Sequence, residues 1–122
     1  MHQYKELKVW QKAIEICNYV YEITKHYPPE EKFGLILQMR KSAVSMPSNI
    51  AEGSGKNSPK EFIRFLEISN ASSYELDTQS IISKAQNYLS EEEFEKLSGD
   101  LSEFQKMLYS LIKSKTSLTT KY

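Results

Sequence analysis

Few residues in this chain have chemistry to offer. His2, His26 and Cys17 are the only histidines and the only cysteine in 122 residues. A di-iron helical bundle needs inward glutamates and two Glu-x-x-His elements, so that each histidine stands one turn from its glutamate. Neither histidine is preceded by glutamate at that spacing, and no metal centre is expected. Cys17 falls on an apolar stripe that contains no histidine, which suits a buried structural thiol. Gly53-Ser54-Gly55-Lys56 has the glycines of a phosphate loop but lacks the preceding strand and the spacing. There is no nucleophile elbow and no dinucleotide fingerprint. Enzyme chemistry is therefore the weakest reading, with no cofactor and no small-molecule substrate expected.

Two polar groupings remain. The first is basic: Arg40, Lys41, Lys56, Lys60 and Arg64 lie in residues 32–64, which carry six basic and two acidic side chains, a net of +4. Residues 65–103 carry two basic and nine acidic side chains, a net of −7, and the whole chain balances at 16 against 16. A dedicated nucleic-acid binder is usually basic in total, so this pattern supports only a local, sequence-independent contact with RNA or DNA. The second grouping interleaves Gln38, Arg40, Ser42, Ser45, Asn49 and Glu52 with apolar residues, followed by Arg64 and Glu75. It reads either as a solvated face or as a partly buried network, with Arg40, Asn49, Glu52 and Glu75 as its members, at a helix or subunit contact.

Four helical segments must position these residues. The first, about 6–26, spaces Leu7, Trp10, Ile14, Cys17 and Tyr21 by threes and fours, which puts them on one stripe. Ala13 and Val20 widen that stripe, while Ile16, Tyr19 and Ile23 lie off it, so this helix is apolar on more than one face. Pro28-Pro29 ends it. The second, about 30–53, carries Ile36, Met39, Ala43, Met46 and Ile50 in one register that continues through Pro47. This reads as a single helix kinked at Pro47, in which the Ala43 carbonyl loses its amide donor. Asn49, Ser45, Arg64 or a water would satisfy it. The third opens on a capping box, Ser58-Pro59-Lys60-Glu61, and runs to about Asn87. Its middle, Ser69-Asn70-Ala71-Ser72-Ser73, is small where bulk is expected, which marks a tight helix crossing or else a solvated face. The fourth opens on a second box, Ser90 to Glu93, and continues with Phe94, Leu97, Leu101, Phe104, Leu108 and Leu111. Residues 117–122 should fray.

With short connections, four such helices pack as one all-α domain, an antiparallel up-down-up-down four-helix bundle spanning 1–122. A length of 122 residues is enough for one core without staples. One cysteine cannot make an internal disulfide, residues 1–6 have no apolar signal core, and no run approaches the roughly 20 residues of a membrane span. A cytoplasmic protein is the expectation.

The residues also resemble a known family. Glu6-Leu7-Lys8-Val9-Trp10-Gln11-Lys12-Ala13, Gly34-Leu35, the run from Gln38 to Gly53, the run from Glu61 to Ser69, and Glu75-Leu76 are similar to the 23S rRNA intervening-sequence proteins, also called four helix bundle proteins. The likeness covers about residues 4–112. It extends to the accessory variability determinant of diversity-generating retroelements, whose members are strongly basic and bind nucleic acid. The resemblance implies a bundle that assembles as a ring-like homopentamer. The expected function is thus a non-enzymatic, self-associating scaffold or adaptor. The alternative is a direct RNA- or DNA-binding protein using Arg40, Lys41, Lys56, Lys60 and Arg64.

Overall fold

The computed structural model describes residues 3–120, and side chains through residue 118. His2 and the last expected frayed residues, Lys121 and Tyr122, lie outside the described residues. Four helices follow one another: α1 (Lys8–Thr24), α2 (Leu35–Ser54), α3 (Pro59–Ala85) and α4 (Glu91–Thr120). Short 3-10 turns at Tyr4–Glu6 and Pro29–Glu31 precede α1 and α2, and the described residues contain no strand. Helix α4 remains helical to Thr120, so residues 117–120 extend it where fraying was expected. None of these helices is long and apolar enough to cross a membrane.

Local chemistry accounts for the boundaries. Ser58 accepts the Glu61 N–H at 3.2 Å and so caps α3, but the Glu61 carboxylate turns to Arg64 rather than back to the cap. At α4 the box is reciprocal: Glu93 N–H donates to Ser90 Oγ at 3.0 Å, and Ser90 N–H donates to Glu93 Oε1 at 2.9 Å. Helix α3 ends where Asn87 takes a left-handed φ of 64°. The Tyr88 amide then bonds the Ser83 carbonyl and the Asn87 amide the Lys84 carbonyl, which satisfies the last turn. Helix α2 begins at Leu35, five residues later than the sequence suggests. The chain leaves the helical path at Gly34, and the Glu31 carboxylate takes the Leu35 N–H at 3.0 Å.

Helix α1 packs against α2 and α4, and α3 packs against the same two, which closes a four-helix bundle around one core. Contacts between neighbours pair residues in reverse order. Met46 meets Ser69, Ser45 meets Ser72 and Met39 meets Ser83 between α2 and α3. Between α1 and α4, Lys12 meets Asp100 and Tyr19 meets Lys96.

The core stripes of α2 and α4 fall where periodicity puts them: Met39, Ala43, Met46 and Ile50, and Leu97, Leu101, Phe104 and Leu108, are all buried. Helix α1 buries Ala13 and Val20, which widen its expected stripe, but not the stripe itself. Its buried side chains are Val9, Ala13, Ile16, Val20, Ile23 and Thr24. Leu7, Trp10, Ile14 and Cys17 are only half-buried, and Tyr21 is exposed. Both stripes have the same three-four spacing; the one lying between α2 and α4 becomes core.

Helix α2 runs unbroken through Pro47, which is buried. The donors expected at the Ala43 carbonyl are engaged elsewhere. Asn49 Nδ2 reaches back one turn to the Ser45 carbonyl (2.8 Å) and hydroxyl (2.9 Å), Ser45 Oγ lies 2.7 Å from Ser72 Oγ, and Arg64 holds Glu61. An amide at this spacing reaches the carbonyl four residues back, not six.

The small residues of α3 mark a close crossing. Ser69 Oγ donates to the Met46 carbonyl at 2.8 Å, and both serines of the Ser72–Ser73 pair are buried. Where α2 leaves the crossing, a Cβ on Gly53 would lie 2.7 Å from Phe65 Cβ, 3.0 Å from Phe62 Cδ1 and 3.3 Å from the Phe62 carbonyl oxygen. On the opposite side of the bundle, Lys12 Nζ bonds Asp100 and Glu103, each at 3.1 Å, and Lys96 bonds the other Asp100 oxygen at 3.0 Å. Burial alone would push the Asp100 carboxyl up, but the hydrogen bonds from Lys96 and Lys12 outweigh it and hold it below its usual value.

Two outcomes follow. Gly53→Ala should destabilise the bundle by about 1–3 kcal/mol, because overpacking here exceeds the gain of about 1 kcal/mol in helix propensity. A urea midpoint equal to or above that of the wild type would contradict the close approach. Asp100 has a folded pKa below its unfolded one, so its contribution is present above the unfolded value and is lost as pH falls through the folded one. Asp100→Asn should therefore remove part of the acid-side loss of stability below about pH 4. Parallel stability–pH curves for the two proteins would show the network to be idle.

Candidate interaction surface

Helix α2 presents its outer edge between α1 and α3, and two adjoining grooves open there. One, of about 310 Å³, lies over the α2–α3 crossing and is lined by Leu37, Gln38, Lys41, Ser45, Ser72 and Glu75, with Ser42 at its floor. The other, of about 440 Å³, follows the α1–α2 seam and is lined by Tyr21, Leu37, Arg40, Val44 and Ser48, sharing Lys41 and Ser45 with the first. The i, i+4, i+7 spacing of Leu37, Lys41 and Val44 sets these residues in line along α2. Leu37 is 43% and Val44 41% exposed, and Tyr21 on α1 is 39% exposed. The half-buried Trp10, Ile14 and Cys17 continue the Tyr21 stripe along α1. Together these form an apolar strip, not scattered single residues.

Arg40 builds the seam rather than a charged patch. Its Nε donates to Thr24 Oγ1 at 2.9 Å, an Nη donates to the Tyr21 carbonyl at 3.3 Å, and the guanidinium lies 4.6 Å from the Tyr21 ring centre. It ties α1 to α2 and leaves its charge at the edge of the apolar strip. Lys41 beside it is exposed.

The basic residues do not form one face. Lys56, Lys60 and Arg64 stand at or near the α2–α3 turn, and Ser54, where α2 ends, is fourteen residues from Arg40, about 21 Å of helix. There Lys56 and Arg64 flank the Phe65 ring at 5.2 and 4.5 Å, and Arg64 also pairs with Glu61 at 3.2 Å. Lys115 comes from α4 to the same end, 5.7 Å from the Phe62 ring, and lines a groove of about 190 Å³ with Lys56 and Asn57. Lys113 lies one half-turn before it. In sequence these two read only as favourable charges at the end of α4; their nearness to Lys56 is not legible there, because Lys115 and Phe62 are more than fifty residues apart along the chain.

The polar cluster also separates. Arg40 faces α1, Asn49 holds Ser45, and Glu52 and Glu75 are exposed, with Glu75 on the α2–α3 groove. These four do not pair with one another among the interactions of the described residues. Cys17 is half-buried and packs against the edge of the core, and burial pushes its thiol up, away from thiolate chemistry. Among the described residues no group of three His, Cys, Asp or Glu side chains is placed to hold a metal ion.

A family model described as 23S rRNA-intervening sequence protein matches residues 5–110. Among solved structures, a protein of unknown function from the S23 ribosomal protein family of Bacteroides thetaiotaomicron is similar to this chain. The two share 25% identity, with a TM-score of 0.77, covering 86% of this chain and 98% of that one. Comparison with curated proteins finds no match.

Proposed function

We propose, from the fact that the chain belongs to the 23S rRNA-intervening sequence protein family, that it works as a non-enzymatic, self-associating four-helix scaffold or adaptor. The observation that carries this is the apolar α1–α2 seam. Tyr21, Leu37 and Val44 remain open to water, continuous with the half-buried stripe of Trp10, Ile14 and Cys17. An apolar strip rimmed by Arg40 and Lys41 is what an oligomer contact leaves exposed in a single protomer. A ring of five is the assembly that the family likeness suggests. Light scattering coupled to size exclusion should return a mass near five times the 14.2 kDa protomer. A single species at the protomer mass would remove the reading.

Direct contact with RNA or DNA is the second reading. It is supported by the gathering of Lys56, Lys60, Arg64, Lys113 and Lys115 at one end, while Glu91, Glu92, Glu93 and Glu95 stand at the other. Such binding would be weak, indifferent to sequence and steeply salt-dependent, because neutralised phosphates release counterions. Lys56→Glu with Lys60→Glu should lower affinity for RNA and DNA alike and flatten the log–log salt slope by about two. Fluorescence anisotropy at low salt decides it: an absent signal, or an unchanged one in the double variant, ends this reading.

A further inference from the structure

Past its first turns, where Phe62, Phe65 and Leu66 are buried, helix α3 changes character. Its core side is largely serine: Ser69, Ser72, Ser73, Ser80 and Ser83 are all buried. Each is satisfied, by the Met46 carbonyl, the Ser45 hydroxyl, the Asn70 carbonyl, the Asp77 carbonyl and the Met39 sulfur. Apart from the buried Leu76, the large apolar side chains of this stretch face the other way. Ile68, Tyr74, Ile81 and Ile82 are 39, 56, 54 and 45% exposed. Successive helical positions turn by about 100°, so these four and Ala71 and Thr78 share the outward half of α3. That half also carries Glu67 and Glu75, and residues 65–83 contain no lysine or arginine.

A helix that places serines in its own core and isoleucines in solvent has an outer face suited to burial against something else. The seam described above offers the complementary surface, apolar in the middle and rimmed by Arg40 and Lys41. Seam against seam would set Arg40 and Lys41 of one copy against the same pair of another, and α3 against α3 would oppose carboxylates. Each like-with-like pairing is penalised, whereas α3 against the seam joins opposite charges around two apolar strips.

We infer that the outward half of α3 docks into the α1–α2 seam of a second copy of this chain, so that self-contact is heterologous, with two different surfaces on every protomer. This rests on the self-association reading and specifies its geometry. A heterologous contact leaves one surface of each kind unsatisfied in any open pair, and a ring satisfies both wherever the rotation between copies closes.

Two double variants test it. Leu37→Glu with Val44→Glu spoils the seam; Tyr74→Glu with Ile81→Glu spoils the α3 face. All four residues are exposed in the protomer, and far-UV circular dichroism checks that both variants keep wild-type helicity. If either does not, serine replaces glutamate at the same positions. Each variant alone should run at the protomer mass by light scattering. An equimolar mixture should run at about twice that mass, because the intact α3 face of one fits the intact seam of the other. The two acidified surfaces cannot restore contact between themselves. An α3 variant that keeps the wild-type mass overturns the inference, and so does a mixture that stays at the protomer mass. Wild-type protein that is itself monomeric would instead sink the self-association reading on which the inference stands.

Discussion

The close approach of α2 and α3 is the constraint on which the rest of this bundle depends. Where the two helices come closest it is made by small residues and hydrogen-bonded serines, beside the buried Met46, Ile50, Phe62 and Leu66. Ser69 bonds a backbone carbonyl of α2, Ser45 and Ser72 share a hydrogen bond, and Gly53 leaves no room for a Cβ beside Phe65. Each such bond contributes about 1 kcal/mol net, but an unpaired buried hydroxyl would cost as much or more, so the register is held by the penalty for slipping. A shift of one residue would bury polar groups without partners.

Filling the core side of α3 with serine has a consequence for the outside. The bulk of the core must come from α1, α2 and α4, whose Ile16, Met39, Met46, Phe104 and Leu108 are buried. Between Ile68 and Ile82, Leu76 is buried and the other large apolar side chains of α3, Ile68, Tyr74, Ile81 and Ile82, face outward. The same crossing aligns α2 so that Leu37 and Val44 stand at its outer edge. Two apolar surfaces thus stand on either side of one crossing, at the outer edge of α2 and on the outward half of α3.

Charge follows the same topology. The helices run so that the α2–α3 turn and the end of α4 meet, which brings Lys56 and Lys115 to one groove. At the far end the acidic first turn of α4 meets the end of α3, where Lys84 pairs with Glu91 at 2.6 Å. A chain with no net charge is therefore electrically polar along its length. Between the ends, Lys12, Lys96 and Asp100 fasten α1 to α4 across the face that carries neither apolar strip.

What the sequence determined by itself was local. Ser58 and Ser90 with their glutamates announced two helix starts, Asn87 marked an end, and strict spacing revealed the core stripes of α2 and α4. These read correctly because capping and 3.6-residue periodicity act within a turn or two of chain. The matched stretches from Glu6 to Leu76 also carried the family. Only the tertiary structure decided which of two equally spaced stripes of α1 is buried, because that depends on where α2 and α4 stand. It also decided that the small run of α3 is a core crossing, not a solvated face, since a serine is at home in either until a partner arrives. The five basic candidates read as one set because they are near in sequence. The fold divides them along the length of α2 and adds Lys113 and Lys115, since charge acts through space and neighbours in space were set by the packing.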